Sequence, residues 1–310
     1  MMAPALSRRH VLAAAGAGLI GSRAVEAQQL EFNSAYNFVF IERSGSLVTF
    51  KYAVNGSRMS SLDLANPPYQ VVPYTAYYYA ADLVRRNPRQ VLMAGLGAGG
   101  FNRLFNLVYP ASRLVTVEID PMIRDLAQQH AGFTTGPNNE VAIEDARIFL
   151  RRSRETYDWI ILDAFDREAQ IPVHLTTREF FATAALRLAE DGVMLTNLHQ
   201  GTRFFASEVL TIRAVFPEVV LLPVRTRGNV ILMAAKTPAP IASRLHQLTA
   251  EEQARYRSYG VDMAAIAADM VPEADYLPVL QEHGMVLTDD FAPVESLDQR
   301  PIPPINPGGP

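Results

Sequence analysis

Hydrophobic and polar positions change rhythm once along the ordered part of this chain. From Phe32 to Met59, β-branched and aromatic residues alternate with polar ones, the two-residue period of half-buried strands. Phe38-Val39-Phe40-Ile41, then Ser44-Gly45-Ser46, then Leu47-Val48-Thr49-Phe50 predicts a hairpin, and Asn55-Gly56 a second turn. A small antiparallel β-module is therefore expected within residues 28–73. Pro67, Pro68 and Pro73 interrupt the connection that follows, and Tyr74 to Val84 predicts a helix ending before Pro88.

After that the apolar residues come in short blocks separated by helical patterns. Val91-Leu92-Met93-Ala94 reads as a buried strand running into Gly95-Leu96-Gly97-Ala98-Gly99-Gly100, and Phe101, Leu104, Phe105 and Val108 mark one face of a helix. Leu114 to Val117 is the next strand, ending at Glu118-Ile119-Asp120, and Pro121 opens another helix. Val141 to Ile143 precedes Glu144-Asp145, Trp159 to Leu162 ends at Asp163, and a helix near Glu179 to Ala189 precedes a strand at 192–197. Strands alternating with helices predict a doubly wound, mostly parallel α/β sheet over residues 74–237. Val219 to Val224 and Asn229 to Ala234 are too close for a parallel crossover, so the last strands are expected to pair antiparallel. Residues 238–300 read as a peripheral helical extension, and the Pro/Gly-rich 301–310 as an unstructured tail.

The first 27 residues follow a different logic. Arg8-Arg9 precedes a weakly hydrophobic stretch, Val11 to Gly21, and Val25-Glu26-Ala27 offers small residues for cleavage. That order predicts a twin-arginine export signal and a periplasmic protein. An uncleaved N-terminal anchor or a cytoplasmic protein are the other readings. No apolar run is long and charge-free enough for a convincing membrane span.

Composition narrows the chemistry. With 310 residues, 49% hydrophobic and 19% charged, the chain suits one large soluble domain or a core with appendages. A formal net charge of -4 gives no footprint for nucleic acid. With no cysteine there are no disulfides, thiolate metal sites or cysteine nucleophiles. No histidine pair has metal-ligand spacing, so no metal is expected, and no nucleophile elbow is present.

The glycine run Gly95 to Gly100 lies between a strand and a helix, where Gly95, Gly97 and Gly99 permit a tight turn and close approach of a ligand. Glu118, at the next strand end, stands where an acid can grip ribose hydroxyls. Dinucleotides and S-adenosylmethionine both use this arrangement. Asp145 after the third strand, an antiparallel last strand and the lack of a nicotinamide signature favour the sulfonium cofactor. Asp163 and Asp166, three apart at the C-terminal sheet edge, can hold a cationic amine and take its proton.

Taken together, Gly95 to Gly100, Val117 to Pro121, Glu144 to Leu150 and Tyr157 to Asp166 resemble the spermidine synthase family of polyamine aminopropyltransferases. The likeness spans about residues 30 to 235, and the β-module, with Ser34-Ala35-Tyr36-Asn37 near its start, looks like that family's N-terminal domain. The resemblance implies a Rossmann-like class I methyltransferase fold that uses decarboxylated S-adenosylmethionine or S-adenosylmethionine. In it Glu118 binds ribose, Asp145 with Ala146 binds adenine, and Asn37 takes the place of a glutamine near the cofactor. Asp163 would hold and help deprotonate the attacking amine, and Asp166 would face the same substrate. A Tyr-Gln pair of the family corresponds to Tyr69-Gln70 by type or to Tyr74 by distance. The implied partner is a small amine such as putrescine, with a homodimer as one assembly it allows. The chain departs from the family at Ala98, where an aspartate usually grips the aminopropyl ammonium, and at Ala164-Phe165, where a serine-rich stretch is usual. Leu287 to Pro293 resembles the ending of divergent, partly membrane-associated relatives, or is a turn that caps the last helix. Methyl transfer to a small molecule, and a non-catalytic nucleoside- or polyamine-binding protein, are the alternative functions.

Overall fold

A computed structural model describes residues 28–52, 56–225, 228–293, 297 and 302–306. The expected export signal lies outside these residues. No helix among them is long and apolar enough to cross a membrane.

The alternating N-terminal stretch forms four strands, β1 (Gln28–Asn33), β2 (Phe38–Ser44), β3 (Leu47–Tyr52) and β4 (Arg58–Asp63), in one antiparallel sheet in chain order. The β2–β3 turn relies on Gly45 at φ 60°, a left-handed conformation that glycine adopts without steric cost. One face of the sheet presents Val39, Ile41, Val48, Phe50 and Leu62, all buried. They pack on Leu96, Ala98, Met122, Ile123 and Leu126 of the larger domain. The module cannot bury this face alone, so it is fixed to the glycine loop.

Helix α1 (Pro73–Tyr77), a 3-10 turn and helix α2 (Ala81–Val84) carry the chain to β5 (Gln90–Ala94). Next come α3 (Gly100–Val108), β6 (Arg113–Glu118), α4 (Pro121–Ala131), β7 (Asn139–Ile143), α5 (Ala146–Arg152) and β8 (Tyr157–Leu162). Helix α6 (Arg178–Arg187), β9 (Leu188–His199), α7 (Phe205–Arg213), β10 (Glu218–Pro223) and β11 (Asn229–Ala235) follow. The large sheet has eight strands, ordered β12-β10-β11-β9-β8-β5-β6-β7, with β12 being Val271–Pro272. Strands β5 to β9 pair in parallel, whereas β11 pairs antiparallel with both β9 and β10, as the short connection requires. Strand order reverses beside β5, which places its C-terminal edge at the switch point where open α/β sheets receive ligands. Strand β8 is buried at every residue, and Trp159 in its middle donates its indole N–H to Arg85 O at 2.8 Å.

Two expectations for the C-terminal part are revised. The extension is not peripheral: Tyr256, Met263 and Ile266 are buried in the core on the α1–α3 face, and β12 adds an edge strand to β10. Its apolar residues complete a sheet face that the preceding helices leave partly uncovered. Residues 302–306, within the stretch expected to be an unstructured tail, are docked. Ile305 is 4% exposed, Gln200 Nε2 donates to Pro303 O at 2.8 Å, and the Asn306 N–H meets the Tyr276 hydroxyl at 3.3 Å. The proline content hid one isoleucine with a hydrophobic site to fill.

One buried carboxylate joins the two sheets. Asp120 is 0% exposed and caps α4 by accepting the Met122 N–H at 2.9 Å on Oδ1. Its Oδ2 accepts from the Ser34 hydroxyl at 2.6 Å and from Asn37 Nδ2 at 2.9 Å. Asp120→Ala removes a helix cap, which costs about 0.5–2 kcal/mol. It also leaves two donors of the module unpaired, the buried Asn37 amide at about 1–3 kcal/mol before relaxation and the half-buried Ser34 hydroxyl at less. We expect a total loss of roughly 2–4 kcal/mol in urea unfolding, against about 1 kcal/mol for Ser34→Ala. Equal stabilities for Asp120→Ala and wild type would refute this role.

Candidate active site

The C-terminal ends of β5, β6, β7 and β8 open into a cavity of about 250 Å³ whose opposite wall is the β-module. Gly95, Gly97, Glu118 and Asp145 line it, with Ala146, Asp163 and Asp166. Asn37 and Tyr52 contribute from the module. Gly95 sits at φ 95° with its Cα against the backbone of Asp163, where a Cβ would overlap the Asp163 carbonyl. Gly97, at φ 53°, abuts Ser60 of β4. The loop is thus shaped as much by its packing on β8 and the module as by any ligand.

Gly99 does not reach the cavity. It starts α3 at φ 76°, and a Cβ there would overlap the Phe133 ring, so its glycine serves packing. Ala98 is 0% exposed among apolar residues of the module contact. At the position where the resemblance expects an acid, the chain has a core methyl group.

Glu118 is buried, and its carboxylate accepts the Leu96 N–H at 3.0 Å and the Asp120 N–H at 2.9 Å. Burial pushes its pKa up to about 7; those N–H donors oppose the rise, and the neighbouring Asp120 charge adds to it. The same cavity holds an acceptor without a donor: Asn37 Oδ1 is buried and makes no hydrogen bond among the described residues. A buried carbonyl of this kind costs free energy unless a donor reaches it. Ribose hydroxyls are donors of the right kind, and Glu118 and Asn37 Oδ1 are two acceptors that border the cavity from the β6 end and from the module. The residues therefore fit a nucleoside.

Asp145 has two tasks. Its Oδ1 caps α5 through the Ile148 N–H at 3.0 Å, and its Oδ2 meets His174 Nε2 at 2.7 Å. The simple capping role is realised here together with a place in the cavity wall. His174, which sequence reading left aside for want of metal-ligand spacing, lines the same cavity. It sits in a 3-10 turn, Val173–Leu175, that Arg147 holds by donating to His174 O at 3.0 Å. Arg147 also pairs with Asp289, which accepts from the Thr177 hydroxyl at 2.7 Å. The Leu287 to Pro293 motif is thus a turn that ties α5 and the start of α6 together beside the cavity, rather than a cap on the final helix.

Asp163 lies at the cavity floor, accessible in part from the opening. Asn197 Nδ2 donates to its Oδ1 at 2.9 Å, and Asn229 Nδ2 donates to Asn197 Oδ1 at 2.9 Å, a relay from β11 through β9 to the end of β8. The Tyr74 and Tyr78 hydroxyls lie near enough to Asp163 to lower its pKa; the Tyr74 hydroxyl donates to Met59 O at 3.4 Å, and the buried Tyr78 hydroxyl forms no hydrogen bond of normal geometry among the described residues. Desolvation raises Asp163 to about 7, and the Asn197, Tyr78 and Tyr74 donors counter it only in part. Asn197 and Tyr78 were not anticipated. A polar residue ending the buried strand Val193 to Asn197, and a tyrosine four after Tyr74 on one helical face, are the signals that mark them. Asp166 is committed to its own loop, accepting the Glu168 and Gln170 N–H groups at 2.9 and 3.1 Å.

Tyr69, Gln70 and Tyr74 do not line the first cavity. They surround a narrower space that shares Gly95, Gly97 and Asp163 with it. Tyr69 is 41% exposed, whereas Gln70 is buried and donates to Pro68 O at 2.9 Å and Gly100 O at 3.2 Å. Of the Tyr-Gln candidates, Tyr74 is the one whose hydroxyl addresses Asp163. Among the described residues no cluster of His, Asp or Glu has the makings of a metal site.

Comparison with known proteins agrees with this geometry. Residues 79–236 match the spermine/spermidine synthase domain family. A polyamine aminopropyltransferase of Vibrio vulnificus (strain CMCP6) is 29% identical over 251 residues, covering 79% of this chain and 82% of that protein. The fold matches a probable spermidine synthase from Corynebacterium glutamicum ATCC 13032, with a TM-score of 0.64, 21% identity and coverage of 85% of this chain and 97% of that one. It also matches a spermidine synthase in complex with the transition state analogue AdoDATO, with a TM-score of 0.62, 22% identity and coverage of 80% and 87%.

Desolvation of Asp163 has a consequence for stability. A carboxyl raised to about 7 in the fold, against 3.8 as a free side chain, holds its proton more tightly when folded. Its contribution is complete below the unfolded pKa and is lost as pH rises through about 7. Asp163→Asn lacks it, so the variant should gain on wild type by about 1–3 kcal/mol between pH 4.5 and 8, less than full linkage because the cavity admits water. Glu208, pushed up to about 8 by burial, is common to both proteins and cancels. Urea unfolding at the two pH values checks this; a pH-independent difference would contradict it.

Proposed function

This chain belongs to the spermine/spermidine synthase family of transferases, and from that membership we propose that it moves an aminopropyl group from decarboxylated S-adenosylmethionine to an amine. One observation carries the reading most: a desolvated aspartate, Asp163, held by Asn197 beside a glycine loop and a cavity that fits a nucleoside. The bound analogue in the spermidine synthase described above supports a sulfonium nucleoside as donor. The names of the relatives favour aminopropyl transfer over methyl transfer and over a binding module.

The donor supplies a carbon activated by sulfonium. Everything else falls to the chain. Glu118 and Asn37 hold the ribose, and Asp145 with Ala146 borders the adenine side. Asp163 accepts a hydrogen bond from the acceptor amine and takes its proton as nitrogen bonds to carbon, with the Asn229–Asn197 relay keeping the carboxylate aimed. A base near 7 suits this task, since it is available at neutral pH yet basic enough to accept a proton. The module covers the cavity and limits water. A homodimer is the assembly we propose. We also propose that residues 1–27 direct export to the periplasm, supported by Arg8-Arg9 and the apolar stretch after them.

Asp163→Asn should lower turnover about 10²-fold or more with nucleoside affinity largely unchanged, as expected for a positioned base. Glu118→Ala should instead weaken methylthioadenosine binding by about 1–3 kcal/mol, the cost of a charged hydrogen-bond partner. Product formation by mass spectrometry and calorimetric titration separate the two effects. An Asp163→Asn protein as fast as wild type would rule the mechanism out. For export, sequencing the mature N-terminus after cell fractionation should find cleavage near Ala27; an intact cytoplasmic chain would end that proposal.

A further inference from the structure

The transfer reading leaves the acceptor open, and a cavity of about 550 Å³ beyond Tyr74 and Phe165 bears on it. This cavity meets the nucleoside cavity at Tyr52 and Met59 and reaches the Asp163 relay at Asn197 and Asn229. Among the described residues that line it there is no carboxylate. Its charged and titratable groups are Lys51, Arg58 and His199, apart from tyrosines. Lys51 pairs with Glu42 on the neighbouring strand. Arg58, at the start of β4, is exposed, and its side chain makes no ion pair or hydrogen bond among the described residues. His199 Nδ1 accepts the Gly201 N–H at 3.1 Å, which leaves Nε2 as a donor. Arg58 and Tyr74 line this cavity together, and Tyr74 and Asp163 line the narrower space beside the glycine loop, so Arg58 and the proposed base border one acceptor path.

A diamine placed with one nitrogen at Asp163 would send its second ammonium into this space. It would find no carboxylate there, and an arginine of like charge. Desolvating an ammonium without a counter-charge is unfavourable, and a like charge adds to the cost. An anionic terminus reverses both signs and gains a guanidinium donor of suitable geometry.

We propose that the acceptor is an amine bearing a carboxylate at the end remote from its nucleophilic nitrogen, with Arg58 binding the carboxylate and His199 Nε2 as a second donor. The proposal rests on the transfer reading above and deepens it. In the step, the amine nitrogen forms a bond to the sulfonium-bound carbon. The carbon–sulfur bond breaks with its electron pair left on sulfur, giving a neutral thioether, and the proton lost by nitrogen goes to Asp163.

The test separates binding from turnover. The full mature chain, saturated with methylthioadenosine, is titrated calorimetrically with 4-aminobutanoate and with putrescine, which share a carbon chain and differ only in the second terminus. We expect 4-aminobutanoate to bind at least about 10-fold more tightly, the worth of one charge-assisted pair. Arg58→Glu should invert the order and Arg58→Lys should keep it. The Arg58 side chain is exposed and makes no ion pair or hydrogen bond among the described residues, so these variants are expected to fold, and methylthioadenosine binding verifies it. Tighter or equal binding of putrescine, no binding of either amine, or an order unmoved by Arg58→Glu would each overturn the proposal. If no amine is alkylated although 4-aminobutanoate binds in the expected order, the transfer reading fails while the binding assignment stands.

Discussion

Two carboxylates at the end of β6 organise the molecule. Glu118 and Asp120 are two residues apart and both buried, an arrangement that would be prohibitive without donors. Each is satisfied by groups that matter elsewhere. Glu118 takes the N–H of Leu96 at the head of the glycine loop and that of Asp120. Asp120 takes the first free N–H of α4 and two side chains of the β-module. One short stretch of backbone thus fixes loop, helix and module together, and the cavity is the gap they enclose. Disturbing the charges there would change the shape of the site before it changed its chemistry.

At the end of β8 the logic differs. Asp163 has fewer donors than its burial calls for, so its proton is held into the neutral range. The donors it does have are amides and phenols, which orient a carboxylate without neutralising it. A guanidinium in place of Asn197 would have stabilised the anion and spoiled it as a base. Reactivity here depends on leaving a charge incompletely solvated, which the rigid sheet beneath it permits.

The hydrophobic rhythm revealed the sheet, its antiparallel end and the positions of Glu118, Asp145 and Asp163 because each lies at the C-terminal end of a short apolar strand. The same reasoning could not see what strand ends meet across the molecule. Asn197, Tyr78 and His174 are ordinary polar residues until β9, the 3-10 turn after α1 and the loop after β8 bring them to the site. Gly99 belongs to the right motif and still serves Phe133 rather than a ligand. Ala98 looked like a missing acid and is, in space, part of the apolar contact that holds the module. The charge of the second cavity was equally hidden, since Lys51 and Arg58 come from strands that join the larger domain only through tertiary packing.

The docked segment 302–306 gives the site an unusual neighbour. It holds Gln200, next in sequence to His199, so the rim of the larger cavity is buttressed by residues far along the chain, anchored by Ile305 in the core. The anchor and the contact with the rim are separate residues: Ile305 fills the core, while the Pro303 carbonyl meets Gln200. The rim of the larger cavity therefore takes its shape from a segment remote in sequence from Asp163, the glycine loop and the paired acids.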